Sequence, residues 1–199
     1  MTKPWLEVIS TVLIILGSAL LLAVIAPQLI AEFRYQWRQF LPPSSLSVPE
    51  PASFDFGLII DKIGVNVPIV AKVDVSKKEV YQQALRSGVA HALGSSLPNQ
   101  EAGTTFLFAH SSMDFWALGK YATVFNLLPK MEVGDPITIL YQGEKYHYRV
   151  TKKEIVRGFE TKFSNSISNQ PPLVILQTCY PIGTTLNRLL VTASFVGTS

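Results

Sequence analysis

From Val8 to Ala31 the chain carries no charged residue, and the run VISTVLIILGSALLLAVIAPQLIA lacks a polar face. It exceeds the ~20 residues that carry a helix across the hydrocarbon core of a bilayer. A helix of that length without a polar side does not suit the surface of a soluble core. Trp5 lies at one end, and Tyr35 and Trp37 lie near the other, where amphipathic aromatics meet the membrane interface. Pro27 falls in the last turns, where lipid-embedded helices tolerate it. A cleaved export signal would have a shorter apolar core and a small-x-small cleavage site. The pattern therefore predicts an uncleaved transmembrane anchor over residues 1–31. Positive charge alone does not orient it, because Lys3 flanks one side and Arg34 and Arg38 flank the other.

Residues 32–53 read as a stalk, with Leu41-Pro42-Pro43 and Val48-Pro49-Glu50-Pro51 favouring extended backbone. Arg34 to Phe40 continues the helix for a short distance. From Phe54 the period changes. Phe56–Ile60 and Val65–Val70 are β-rich and separated by Gly64. Lys77 to Leu85 places Val80, Ala84 and Leu85 at helical spacing, with Ser76 as N-cap. Thr104–Ala109 is an apolar run that ends at His110. An irregular or helical stretch follows through Trp116 and Phe125. Val133-Gly134-Asp135 is a turn signal, and 137–141 with 145–150 alternate as a hairpin around Gln142-Gly143. Gly158 to Pro172 is a polar loop, and two apolar runs, 173–179 and 189–195, close the chain. Short strands with few helices predict a mainly β barrel over residues 54–199.

Hydrophobic residues make up 48% of the 199-residue chain, ample for such a core, and the net charge is +3. No dense Lys/Arg run or basic-aromatic stripe is present, which argues against nucleic acid as a partner. A lone cysteine excludes an intramolecular disulfide.

That cysteine, Cys179, ends the run Leu173-Val174-Ile175-Leu176-Gln177-Thr178 and is followed at once by Tyr180-Pro181. Nine residues later Arg188 opens the next run. A thiol at a strand end, an imidazole (His110) at another and a guanidinium at a third divide the work of acyl transfer. A thiolate attacks, an imidazole moves protons, and an arginine stabilises a developing oxyanion but cannot act as a base. Each has a plainer reading: a buried cysteine is usually a small hydrophobe, and a single His or Arg is usually structural or paired. One Cys and three His without short spacing make no usual zinc set. Glu101, Asp114, Glu154 and Glu160 form no oxygen cluster, so neither metal nor cofactor is expected. His91 reads as structural and His147 as a strand-face residue, while Phe115 and Trp116 read as packing.

Ile175-Leu176-Gln177-Thr178-Cys179 resembles the Thr-Leu-x-Thr-Cys motif of the sortases, with Ile175 where Thr is usual. Arg188 stands where that family has an essential Arg on the next strand, and Phe108-Ala109-His110-Ser111-Ser112 resembles its His-bearing segment. Further matches are Ile63–Ile69, Gly88–His91, and Val124-Phe125 through Asp135. The resemblance covers about Phe56 to Val196. It implies an eight-stranded β-barrel, anchored by one amino-terminal helix with the barrel outside the membrane. It implies a cysteine transpeptidase that cuts a Leu-Pro-x-Thr-Gly-like (LPXTG-like) sorting signal after Thr. The thioester on Cys179 would pass to an amine acceptor such as a cell-wall precursor or a pilin, with His110 handling protons and Arg188 holding the oxyanion. Glu50-Pro51 does not match the Asp-Pro-aromatic lid motif of pilin-type relatives, and no second span precedes Ser199, which leans toward single-protein anchoring.

Two other readings compete. An L,D-transpeptidase uses similar groups, but the Ser-His-Gly-type stretch before its cysteine is absent here. A non-catalytic anchored barrel that binds peptide would leave Cys179 idle.

Overall fold

Alternation along the strands decides what faces inward. The computed structural model describes residues 4–40, 50–99, 102–112, 120–157 and 172–199. Phe115, Trp116, Glu101, Asp114, Glu160 and most of the Gly158–Pro172 loop therefore lie outside the described residues. The strands are β1 (Phe56–Ile60), β2 (Val65–Val73), β3 (Val89–Ala92), β4 (Thr104–Phe108), β5 (Pro136–Tyr141), β6 (Glu144–Arg157), β7 (Leu173–Tyr180) and β8 (Asn187–Thr198). They close a barrel in the order β1-β2-β3-β4-β7-β8-β6-β5, with β5 returning to β1. The fold is thus the mainly β, eight-stranded barrel expected from the strand pattern and the resemblance.

Two of the pairings are parallel, β2 with β3 and β4 with β7. Parallel neighbours need a crossover, and for β2–β3 it is a helix, α2 (Lys78–Ser87). The β5–β6 hairpin turns on Gln142 and Gly143, both with positive φ (52° and 86°). That two-residue geometry matches the strand twist and is why a Gly sits there.

The barrel interior holds Leu58, Ile60, Leu107, Ile139, Leu176 and Val191, all fully buried. Burial of each such side chain contributes about 1.5–3 kcal/mol. A second apolar layer lies outside the barrel. There Ala84 and Leu85 of α2 pack on Val73, Ala90, Ala92, Phe106 and Phe108, with Tyr81 and Ile175 at the margin. This outer layer explains why β3 is buried at every position: it is covered on both faces.

Two local readings are corrected here. Ser76 does not cap α2: its hydroxyl donates to Asp74 Oδ1 at 2.6 Å, the N-cap is Lys77, and no side chain caps it. The Asx turn at Asp74 competes for the same hydroxyl. Val80, read as part of the helix's apolar face, is exposed, and Tyr81 turns inward in its place. Tyr81, Ala84 and Leu85 have the i, i+3, i+4 spacing that meets one face.

The apolar amino-terminal segment forms a helix, α1 (Pro4–Phe40), whose Trp5–Ala26 portion is long and apolar enough to cross a membrane and is not buried by the rest of the protein. The helix continues well past the uncharged run, so residues 32–40 are helical. Its last turns dock on the barrel. Tyr35 is buried within the main core cluster, Asn126 Nδ2 donates to Gln28 Oε1 at 2.8 Å, and Lys130 pairs with Glu32 at 2.8 Å.

Gly88 joins α2 to β3 against the backbone of Pro68. A Cβ there would collide with the Pro68 carbonyl oxygen, a backbone atom that cannot rotate away. Gly88→Ala is therefore expected to cost about 1–3 kcal/mol, the range for overpacking. A lowered urea midpoint at unchanged slope would register it, and an unchanged midpoint would mean that the contact of the α2–β3 junction with β2 is more pliant than its packing indicates.

Candidate active site

The β4–β7 pairing aligns Phe108 with Gln177. The alignment persists beyond the end of β4: Ala109 N–H donates to the Gln177 carbonyl at 3.2 Å, and Thr178 Oγ1 donates to the Ala109 carbonyl at 2.9 Å. That parallel register points the His110 end of β4 toward the Cys179 end of β7. From the other side, the antiparallel β7–β8 pairing sets Arg188 directly opposite Cys179. The turn after β7 is also tied to the His110 segment, since Gly183 N–H donates to the Ser111 carbonyl at 3.0 Å.

The face follows from period two. On β7, Val174, Leu176 and Thr178 are buried in the barrel, while Ile175, Gln177 and Cys179 are only partly buried. Cys179 and Arg188 therefore stand on the outer face of the sheet, beside the α2 layer. They line one cleft of about 200 Å³ with Val75, Tyr81, Phe108, Ala109, Gln177 and Thr178. His110 stands at the margin, its ring edge-on to that of Tyr81 with centroids 6.3 Å apart. Tyr81 in turn stacks on Phe108 at 5.5 Å. Of the three residues singled out in the sequence, Cys179 and Arg188 share the cleft, and His110 reaches its edge through Tyr81.

Tyr81 is the neighbour that the sequence did not single out. Burial pushes its phenol up, the Cys179 side chain adds to that, and Arg188 opposes it. The only sequence signal for it was its place on the buried side of α2, where it reads as ordinary core. Gln177 contributes a second unforeseen feature: its Oε1 is buried with no hydrogen-bond partner among the described residues.

The Arg188 guanidinium is steadied from its own turn. Its Nη1 donates to the carbonyls of Thr185 at 3.2 Å and Asn187 at 3.1 Å. A guanidinium carries five N–H donors in a fixed fork, so others remain to meet a substrate oxygen. The His110 imidazole is pushed below its usual 6.5 by burial, which favours its neutral form.

His91 has a different task. It is fully buried, its Nδ1 accepts from Lys72 N–H at 3.2 Å, and its Nε2 lies 3.1 Å from the Ser96 carbonyl and 2.8 Å from Ser95 Oγ. With Nδ1 accepting, Nε2 carries the proton, and the neutral ring holds β2, β3 and the following loop together. His147 lies on β6 between Thr138 Oγ1 and Ser199 Oγ. Among the described residues no three His, Cys, Asp or Glu side chains gather as metal ligands would.

Burial holds both His91 and His110 below 6.5, and for His91 the nearby Lys72 charge acts in the same direction while the Ser96 carbonyl opposes it. Below pH 6.5 the unfolded chain takes up protons that the folded chain resists, so stability is fully present above that pH and is lost as pH falls. The urea midpoint is expected to drop between pH 7.5 and pH 5.5. His91→Gln, which cannot protonate, should shrink that drop; an equal drop in the variant would remove His91 from the account.

Residues 58–196 match the family model described as the sortase domain. Among solved structures, sortase C-1 from Actinomyces oris is 30% identical, with 71% of each chain covered and a TM-score of 0.58. Sortase A from Corynebacterium diphtheriae, as a lid mutant, is 27% identical over 78% of this chain and 74% of that one, with a TM-score of 0.59. Sortase E1 from Streptomyces coelicolor, at 21% identity over 75% of this chain and 93% of that one, shares the fold with a TM-score of 0.58. No curated protein matches the chain. With the domain model spanning most of its length and these barrels superposing on its own, the chain belongs to the sortase family.

Proposed function

We propose that this protein is a membrane-anchored cysteine transpeptidase that cleaves an LPXTG-like sorting signal and transfers the resulting acyl group to an amine. The observation that carries the reading is the direct pairing of Cys179 with Arg188 across β7 and β8 in an outer-face cleft, with His110 at the adjacent strand end. Cys179 gives its thiol proton to the neutral His110 imidazole, and its Sγ attacks the Thr carbonyl carbon of the signal. An oxyanion forms and is held by Arg188 N–H groups. The Thr–Gly C–N bond then breaks, and the departing Gly nitrogen takes a proton from His110, leaving a thioester. An incoming amine attacks the same carbon, His110 accepts its proton, and the C–S bond breaks to return the thiolate. The acceptor is a cell-wall precursor or a pilin amine. In this reading the amino terminus lies inside and the barrel outside the membrane, as the family resemblance implies.

The test uses the full-length protein in detergent, mixed with a small library of LPXTG-like peptides and read by intact mass. Wild type should gain the mass of the acyl fragment, Cys179→Ala should not, and triglycine should release the adduct as a ligated peptide. No adduct with any peptide, on a Cys179 that still reacts with iodoacetamide, would sink the reading. Acylation by peptidoglycan stem peptides instead would replace it with the L,D-transpeptidase alternative.

A further inference from the structure

Arg34 has no part in the chemistry above and does not help orient the anchor. We infer that Arg34 and Lys120 form a binding site for the phosphate headgroup of an anionic phospholipid, at the seam between α1 and the barrel. The seam is a cleft of about 390 Å³, larger than the one at Cys179, bordered by Arg34, Tyr35, Lys120, Tyr121, Thr123 and Leu127. Two of its side chains are cations, and among the described residues no carboxylate lines it. The nearest acid on the helix, Glu32, is already paired with Lys130 at 2.8 Å. Arg34 and Lys120 are both exposed. Lys120 Nζ lies 5.2 Å from the centroid of the Tyr121 ring, which holds the ammonium at the rim.

The depth of the cleft selects the ligand. Exposed apolar side chains continue along α1 through Leu29 and Ile30. Arg34 lies four residues beyond Ile30, about 6 Å along a helix axis. Headgroup layers extend roughly 5–8 Å beyond the hydrocarbon on each side. Phe33 and Trp37, exposed and stacked 5.9 Å apart, belong to the interfacial belt that aromatics form at this level. The docking contacts of Tyr35, Gln28 and Glu32 hold the barrel against the last turns of this helix. A phosphodiester bearing one negative charge, on a glycerol whose chains enter the bilayer beside Ile30, meets both cations without leaving the membrane. A soluble anion gains the charges but not the hydrocarbon. Basic pockets beside membrane helices take headgroups on this principle. Bound this way, the lipid would fix the tilt of the barrel over the membrane.

The experiment uses full-length protein in a neutral detergent, equilibrated with equimolar phosphatidylglycerol and phosphatidylcholine and read by native mass spectrometry. Wild type should retain phosphatidylglycerol in preference. A cation near an anionic lipid surface is worth about fivefold in binding, so Arg34→Gln with Lys120→Gln should erode that preference by roughly twenty-five-fold. Arg86→Gln with Lys145→Gln, which removes the same charge elsewhere, should leave it. Excess inorganic phosphate should not displace the lipid. Equal retention of the two lipids by wild type, a preference that survives in the Arg34/Lys120 variant, or displacement by inorganic phosphate would each overturn the assignment, the last in favour of a soluble phosphate ligand.

Discussion

Cys179→Ala is expected to abolish peptide transfer. Loss of a covalent nucleophile costs on the order of 10⁶ in kcat where the remaining groups only bind and polarise the substrate. Alanine changes little else at this position. Cys179 is only partly buried on the outer face, so removing its sulfur opens no void in the barrel core, and the unfolding free energy should stay within about 0.5 kcal/mol of wild type. The variant should still bind the signal peptide, because Tyr81, Phe108 and Arg188 still line the cleft. The check is transfer of a fluorescent LPXTG-like peptide to triglycine, alongside peptide binding to the same preparation. Residual transfer within a hundredfold of wild type would mean that another group performs the attack, and the idle-cysteine reading of the barrel would gain.

Arg188→Ala is expected to lower kcat by about 10²–10³, equivalent to roughly 2.7–4 kcal/mol, the loss seen when one oxyanion donor is removed. The effect should fall mainly on kcat, because an interaction made only with the developing oxyanion is absent from the bound ground state. Arg188→Lys should recover little. An ammonium offers a compact point charge and not the planar fork, and the Arg188 fork already spends Nη1 on Thr185 and Asn187. Steady-state kinetics for the two variants decide the matter. A rise in KM with kcat unchanged would recast Arg188 as a substrate clamp with no special hold on the transition state.

Much of the architecture was legible because it rests on period. The apolar run 173–179, broken at once by Tyr180-Pro181, identified a strand with Cys179 near its end, and Gln142-Gly143 marked the hairpin. The uncharged run announced α1. What failed was local competition. Ser76 looked like a cap until Asp74 claimed its hydroxyl, and Val80 fitted an apolar helix face that Tyr81 in fact supplies. The second error has a tertiary cause: a helix chooses its buried side by the surface it packs on, and the outer faces of β3 and β4 are not written in α2.

The chain by itself determined most of the strands, though not β3, together with the apolar amino-terminal helix and the three residue types that suit acyl transfer, since these depend on neighbours close in sequence. Only the tertiary structure decided their meeting. His110, Cys179 and Arg188 lie on β4, β7 and β8 or at their ends, and barrel closure makes those three strands adjacent. Closure also decided that the Cys179 side of β7 faces outward, because it sent Leu176 and Thr178 into the core. The docking of Tyr35 and the cleft at Arg34 likewise come from packing between segments far apart in the chain, as in Glu32 with Lys130, 98 residues on. Periodicity records which side chains share a face; it does not record which surface will cover that face.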